Sequence, residues 1–176
     1  MATDSTRKFA NLAFFKSFGE GELGEIMLYS ELKNFDNGQI IFKEGDAAVE
    51  LYVIVTGKVE ILKSISGQSV SIATLEENDI FGENAILTFS TGKRMASTKC
   101  VTDTSCLVVT RKQMDDLFSA NPAIAAKFFK VVGIICHSRL ARIDDMYTQL
   151  FVTTRGSKNL SELKDCYQKL MTEWRI

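Results

Sequence analysis

Histidine is almost missing: His137 is the only one in 176 residues, and the four cysteines, Cys100, Cys106, Cys136 and Cys166, are scattered with no CxxC pair. A zinc site of the usual ligand spacing cannot be assembled from that set, so no metal is expected. His137 lies on a helical stretch between Cys136 and Ser138, has no acidic partner fixed by spacing, and reads as a packing or surface residue. There is no GxSxG, no P-loop lysine and no HExxH. With the commonest general base all but absent, no catalytic residue is expected and the chain does not read as an enzyme.

Long apolar runs are missing as well. The longest stretch without a charge, Ser64 to Leu75, is 12 residues and contains Ser, Gly and Gln, against the roughly 18 apolar residues of a membrane span. Neither sign of charge is in excess: 21 Lys+Arg face 22 Asp+Glu, a net charge of −1, so bulk-charge binding of nucleic acid is disfavoured. The start, Met1 to Asp4, lacks the basic-then-apolar pattern of a secretory signal, and the expectation is a cytoplasmic protein with reduced thiols.

What is present is an ordinary globular composition, 45% hydrophobic and 24% charged, long enough to bury a core without disulfides. From Phe9 to Leu32 the apolar residues recur at mixed three-and-four spacings interrupted by Gly19, Gly21 and Gly24, which predicts short, broken helices. From Leu32 to Thr110 short β-branched and aromatic runs alternate with turn signals, among them Asp36-Asn37-Gly38, Gly45-Asp46 and Ser66-Gly67. Such spacing predicts the many strands of a sandwich or barrel. Leu51 to Val55 should be buried on both faces, and Lys58 to Lys63 on one.

After Arg111 the period changes. Met114, Leu117 and Phe118 fit a short helix, and Asn121-Pro122 fits an N-cap followed by proline at the first helical position of a long one. Within that helix Phe129, Val132, Cys136, Leu140, Ile143, Tyr147 and Leu150 form a seam near the heptad repeat, suited to a partner helix. Phe128, Val131 and Ile135 offer a second stripe that can pack on the β-domain, and the seam itself could do the same. A break at Thr153 to Ser157 precedes a last amphipathic helix from Leu160 to Trp174.

The stretch with chemical content is Ile80-Phe81-Gly82-Glu83-Asn84-Ala85-Ile86-Leu87, followed by Arg94-Met95-Ala96-Ser97. A strand ending at Phe81, a permissive Gly82 and a short helical turn opened by Glu83 would present backbone N–H groups suited to an anion. Arg94, eleven residues after Glu83 and at the start of the next strand, could hold the same anion in a forked contact. Glu83 could accept from a sugar hydroxyl. By spacing alone, a glutamate and an arginine so placed describe an ordinary ion pair equally well.

Three ordered motifs supply context. Ile41-Phe42-Lys43-Glu44-Gly45-Asp46, Leu51 to Ile61 with Gly57 between two strands, and Phe81-Gly82-Glu83-Asn84-Ala85 with Arg94-Met95-Ala96-Ser97 together resemble the cyclic nucleotide-binding domain family. That family includes the catabolite activator protein, the regulatory subunits of cyclic-AMP-dependent kinase and the cyclic-nucleotide-gated channels, and the resemblance covers about residues 14–150.

The resemblance implies an α+β fold, mainly β: an eight-stranded jelly-roll barrel flanked by N-terminal helices and a long C-terminal helix. It divides the chain into an N-terminal helical segment (1–30), a jelly roll (31–120) with a phosphate-binding cassette (81–97), a lid or dimerisation helix (121–152) and a helical extension (153–176). The ligand implied is a 3′,5′-cyclic nucleotide. Glu83 would accept from the ribose 2′-hydroxyl, Arg94 would pair with the cyclic phosphate, and the backbone of Gly82, Asn84, Ala85 and Ile86 would complete the anion site after Phe81. Ala96 and Ser97 would lie beside the phosphate, with Ser97 offering a hydroxyl.

Met95 stands where family members that prefer cyclic GMP often carry threonine, which points to cyclic AMP. No cofactor is implied beyond this ligand. The base would meet the lid helix between Val131 and Arg142. Two features depart from the family: its glutamate-to-arginine spacing is commonly nine or ten, so the loop Thr88 to Lys93 is longer here, a cheap change, and Asn84 replaces an apolar residue. Lys93 is either a second cation near the phosphate or a solvated loop residue.

The 26 residues after Leu150 are too few for a DNA-recognition domain, so an unknown effector protein or a homodimer through helix 121–152 would carry the output. The rivals are a degenerate jelly-roll interaction module that no longer binds nucleotide, and a cupin-type enzyme, which would need a histidine-rich metal site.

Overall fold

A computed structural model describes residues 9–87 and 92–153, with side chains to residue 149. By its internal contacts the chain divides inside its long helix into two units, residues 1–131 and 132–176. The first unit opens with a 3-10 turn at Ala13–Phe15 and helix α1 at Glu20–Leu28, the short, broken helices expected from the glycine-interrupted spacing. Eight strands follow: β1 (Glu31–Phe35), β2 (Ile40–Phe42), β3 (Glu50–Thr56), β4 (Lys58–Ile65), β5 (Gln68–Glu76), β6 (Ile80–Phe81), β7 (Ser97–Cys100) and β8 (Thr104–Thr110). A four-residue helix α2 (Asn84–Leu87) sits between β6 and β7, and α3 (Arg111–Ala120) and α4 (Pro122–Thr153) close the described chain.

The strands pair antiparallel into two four-stranded sheets, in the orders β1-β8-β3-β6 and β2-β7-β4-β5. The eight expected strands are present; among the described residues they form two sheets and no closed barrel. Tyr52, Ile54, Phe81, Cys106 and Val108 of one sheet meet Val59 and Cys100 of the other in a buried core, with Phe42 and Ile61 packed against it. Leu51 to Val55 is buried on both faces, as the uninterrupted apolar run predicts. In β4, Val59 is fully buried while Glu60 to Lys63 are half-buried, so that strand is less cleanly two-faced than its alternation suggests.

Ser66 and Gly67, both at positive φ (51° and 80°), make the two-residue turn that joins β4 to β5. Beyond β8, the Thr110 hydroxyl accepts from the Gln113 N–H at 3.2 Å while the Thr110 N–H donates to Gln113 Oε1 at 2.8 Å, a reciprocal cap that starts α3 at once. Asn121 Oδ1 accepts from the Ile124 N–H at 3.4 Å, so α4 begins at Pro122 as expected.

Phe128, in the first turns of α4, packs edge-on against Phe14 (centroids 5.2 Å apart) and meets Phe118 at 5.3 Å. In the second unit Leu140 and Ile143, members of the predicted seam, are exposed, as are Ile134 and Met146. The Leu150 side chain, residues 88–91, the predicted break and the predicted helix Leu160 to Trp174 lie outside the described residues.

Candidate functional site

The two-residue strand β6 ends at Phe81, and the chain turns through Gly82 at φ +78°. A Cβ at Gly82 would lie 2.6 Å from Arg94 Nη1 and 2.8 Å from the Glu50 carbonyl oxygen. Both the left-handed backbone and this close approach require glycine. In the turn that follows, the Ala85 N–H donates to the Gly82 carbonyl and the Ile86 N–H to that of Glu83, each at 3.0 Å. Two of the four backbone groups expected to face an anion are therefore already engaged inside the turn, which continues as α2.

Arg94 precedes β7 by three residues instead of opening it, because its backbone is tied to the β2–β3 turn. Its N–H donates to the Asp46 carbonyl at 2.8 Å, and its carbonyl accepts from the Gly45 N–H at 2.9 Å. The side chain runs inward and is only 4% exposed. Its guanidinium carbon lies 3.9 Å above the Phe42 ring and 5.7 Å from that of Tyr52, a cation–π perch. Nη1 donates to the carbonyls of Glu50 (2.9 Å) and Gly82 (3.3 Å), while the buried Nε has no partner.

Burial pulls the Arg94 pKa down, opposed by the nearby acidic groups Glu50, Glu83 and Asp46. A guanidinium stays charged through such a shift. Glu83, half-buried, is thus within electrostatic reach of Arg94, as the motif anticipates. Tyr52 stacks nearly parallel on Phe81, centroids 4.7 Å apart, and its hydroxyl donates to the Glu50 carboxylate. Burial first, then that bond, raises the Tyr52 pKa, so the hydroxyl stays protonated.

The remaining predicted residues spread around this centre. Asn84 Nδ2 donates to the Lys93 carbonyl at 3.3 Å, and the Lys93 side chain is exposed. Met95 is 70% exposed, and its carbonyl accepts from Lys63 Nζ at 2.6 Å. Ala96 is half-buried. The Ser97 hydroxyl accepts from the Glu44 N–H at 2.9 Å, so it already clamps the β2–β3 turn. Next to it Thr98 is fully buried, with no partner for its hydroxyl.

Sequence reasoning missed Phe42, Tyr52, the Glu50 carbonyl and Thr98. For Thr98 the signal was the strand alternation through Cys100; for the others it was a cross-strand pairing that no local pattern contains.

Residues 32–121 match the family described as the cyclic nucleotide-binding domain. This chain belongs to that family. It is 30% identical over 112 residues to a cyclic AMP receptor protein of Thermus thermophilus, covering 63% of this chain and 51% of that protein. It is 33% identical over 106 residues to a cGMP-dependent protein kinase of Toxoplasma gondii, covering 60% of this chain and 10% of the kinase. A cyclic nucleotide-binding domain from Methylobacillus flagellatus has the same fold, with a TM-score of 0.70 at 20% identity over 88% of this chain and 86% of that one. The domain thus spans about half the length of the Thermus relative. Among the described residues no helix is long and apolar enough to cross a membrane.

Proposed function

We propose that this domain is a sensor that binds a 3′,5′-cyclic nucleotide, cyclic AMP in preference to cyclic GMP, within its jelly roll and passes the binding through α4 to a partner protein or a second copy. The observation that carries the reading is Arg94: a buried cation perched on Phe42, beside Gly82, within electrostatic reach of Glu83, and with Nε unpaired. A cyclic phosphate that reached Nε would gain a charge-assisted hydrogen bond from a donor that has no protein acceptor. Glu83, Asn84 and the turn after Gly82 supply the rest of the cassette, with Ala96 and Ser97 flanking it. We assign no catalytic role.

Small ligands gain roughly 0.3 to 0.5 kcal/mol per heavy atom, so about 22 atoms give a dissociation constant between micromolar and nanomolar. Exposed Met95, at the position where threonine favours guanine, supports cyclic AMP. The exposed Leu140 and Ile143 support output through α4, since a ligand moves a helix only by its differential affinity for two arrangements.

A second reading has its own observation. The two carbonyl bonds from Nη1 satisfy much of Arg94 without any ligand, which also suits an interaction module that has ceased to bind nucleotide. Calorimetric titration of cyclic AMP and cyclic GMP into nucleotide-free protein decides between them. Saturable heat, tighter for cyclic AMP and strongly weakened in Arg94→Ala, is expected; no heat with either nucleotide favours the module.

A further inference from the structure

We propose that Thr98 is a ligand-contacting residue, its hydroxyl hydrogen-bonding the bound cyclic nucleotide from the inner wall of β7; this rests on the nucleotide-binding reading above. Thr98 opposes Phe42 of β2 on one side and Ile61 of β4 on the other. Cross-strand partners present their side chains on the same face of a sheet, and Phe42 and Ile61 both pack on the core between the sheets. The Thr98 side chain therefore points inward, on the wall whose Phe42 ring carries the Arg94 guanidinium.

Thr98 is 0% exposed, and Oγ1 has no hydrogen-bond partner. Leaving a buried hydroxyl unpaired costs stability that a valine of the same shape would not lose. Neighbouring hydroxyls are satisfied: Thr104 Oγ1 donates to the Thr102 carbonyl at 2.9 Å, with that of Lys58 at 3.2 Å as the alternative acceptor, and Ser97 accepts from the Glu44 N–H.

Three buried side-chain polar atoms lack partners among the described residues. One, Arg111 Nη2, belongs to the start of α3; the other two, Arg94 Nε and Thr98 Oγ1, belong to the Phe42 wall. One is a charged donor and the other both donates and accepts. Together they suit a phosphate flanked by sugar oxygens or purine nitrogens. Ser97, the hydroxyl that the cassette resemblance singles out, is held by the backbone of Glu44, whereas Thr98 is the one left for a ligand.

The test compares wild type, Thr98→Val and Thr98→Ser, titrating cyclic AMP and cyclic GMP into nucleotide-free protein and recording the melting temperature without nucleotide. Thr98→Val should weaken binding about 3- to 30-fold while its unliganded melting temperature holds or rises, and Thr98→Ser should stay within about 3-fold of wild type. Equal losses for both nucleotides place the contact on the cyclic ribose phosphate, unequal losses on the purine; either sustains the proposal. Wild-type affinity in Thr98→Val overturns it and leaves the nucleotide reading standing. A lower unliganded melting temperature in that variant reveals a protein partner for the hydroxyl and also overturns it. No binding by wild type overturns both readings.

Discussion

Arg94 is a buried donor to two backbone carbonyls and, in the proposed reading, the cation for the cyclic phosphate, so one substitution should affect both stability and binding. As the phosphate cation it should be the largest single contributor to binding: Arg94→Ala should weaken the nucleotide by about 2 to 5 kcal/mol, measured by calorimetry. As a buried donor to the Glu50 and Gly82 carbonyls it also supports the fold itself, and the same variant should lose about 1 to 3 kcal/mol of unfolding free energy in urea. Glu83→Ala, losing one hydroxyl contact, should cost about 0.5 to 1.5 kcal/mol of binding. Gly82, Glu83 and Arg94 stand out in the sequence only beside the two other ordered motifs, since a glutamate and an arginine at that spacing describe an ordinary ion pair equally well. Phe42 and Tyr52 do not stand out as partners of Arg94, because the cation perch is built from β2 and β3, which meet the Arg94 segment only through pairing across the fold.

Among the elements, the first turns of α4 are tied to α1 by charge. Lys127 Nζ donates to both Glu22 carboxylate oxygens, at 2.8 and 2.6 Å, and the Gly19 N–H donates to Oε2 at 2.7 Å. The lysine bond first, then the Gly19 N–H, lowers the Glu22 pKa below its ordinary 4.5. A carboxylate with a depressed folded pKa stabilises above its unfolded value, and that stability is lost as pH falls through the folded one. Melting temperature should therefore fall more steeply below about pH 4.5 in wild type than in Glu22→Gln, as read by circular dichroism.

In the sheets, burial pushes the Cys106 thiol up to about 12 and raises that of Cys100. Neither should react with a thiol reagent near pH 8 until the domain unfolds, whereas the half-exposed Cys136 should be modified in the native state, as peptide mass spectrometry would show. The strands themselves were readable from β-branched runs and turn pairs. Which strands pair, in the orders β1-β8-β3-β6 and β2-β7-β4-β5, was not, since register between distant strands leaves no mark in either one.

For the molecule as a whole, a ligand that binds only the folded state stabilises it by mass action. At a hundred times its dissociation constant cyclic AMP should add about 2.7 kcal/mol and raise the melting temperature by about 5 to 10 °C, with a smaller rise for cyclic GMP. If α4 carries the output, saturating nucleotide should slow amide hydrogen exchange in residues 122–153; unchanged exchange there would separate binding from signalling. If its exposed apolar residues meet a second copy, Leu140→Glu with Ile143→Glu should convert a dimer to a monomer in sedimentation.

The amino-acid sequence by itself determined the run of strands, the long helix from Pro122 and the order of the cassette residues, because turn chemistry, periodicity and a glycine-centred motif are local properties. The tertiary structure alone decided that Arg94 lies buried on Phe42 with Nε unpaired, and that Ser97 is held by the Glu44 backbone. It also left Thr98 facing the interior without a partner. Those outcomes depend on which strands become neighbours and on what each side chain meets there, and both are set only when the two sheets close on one core.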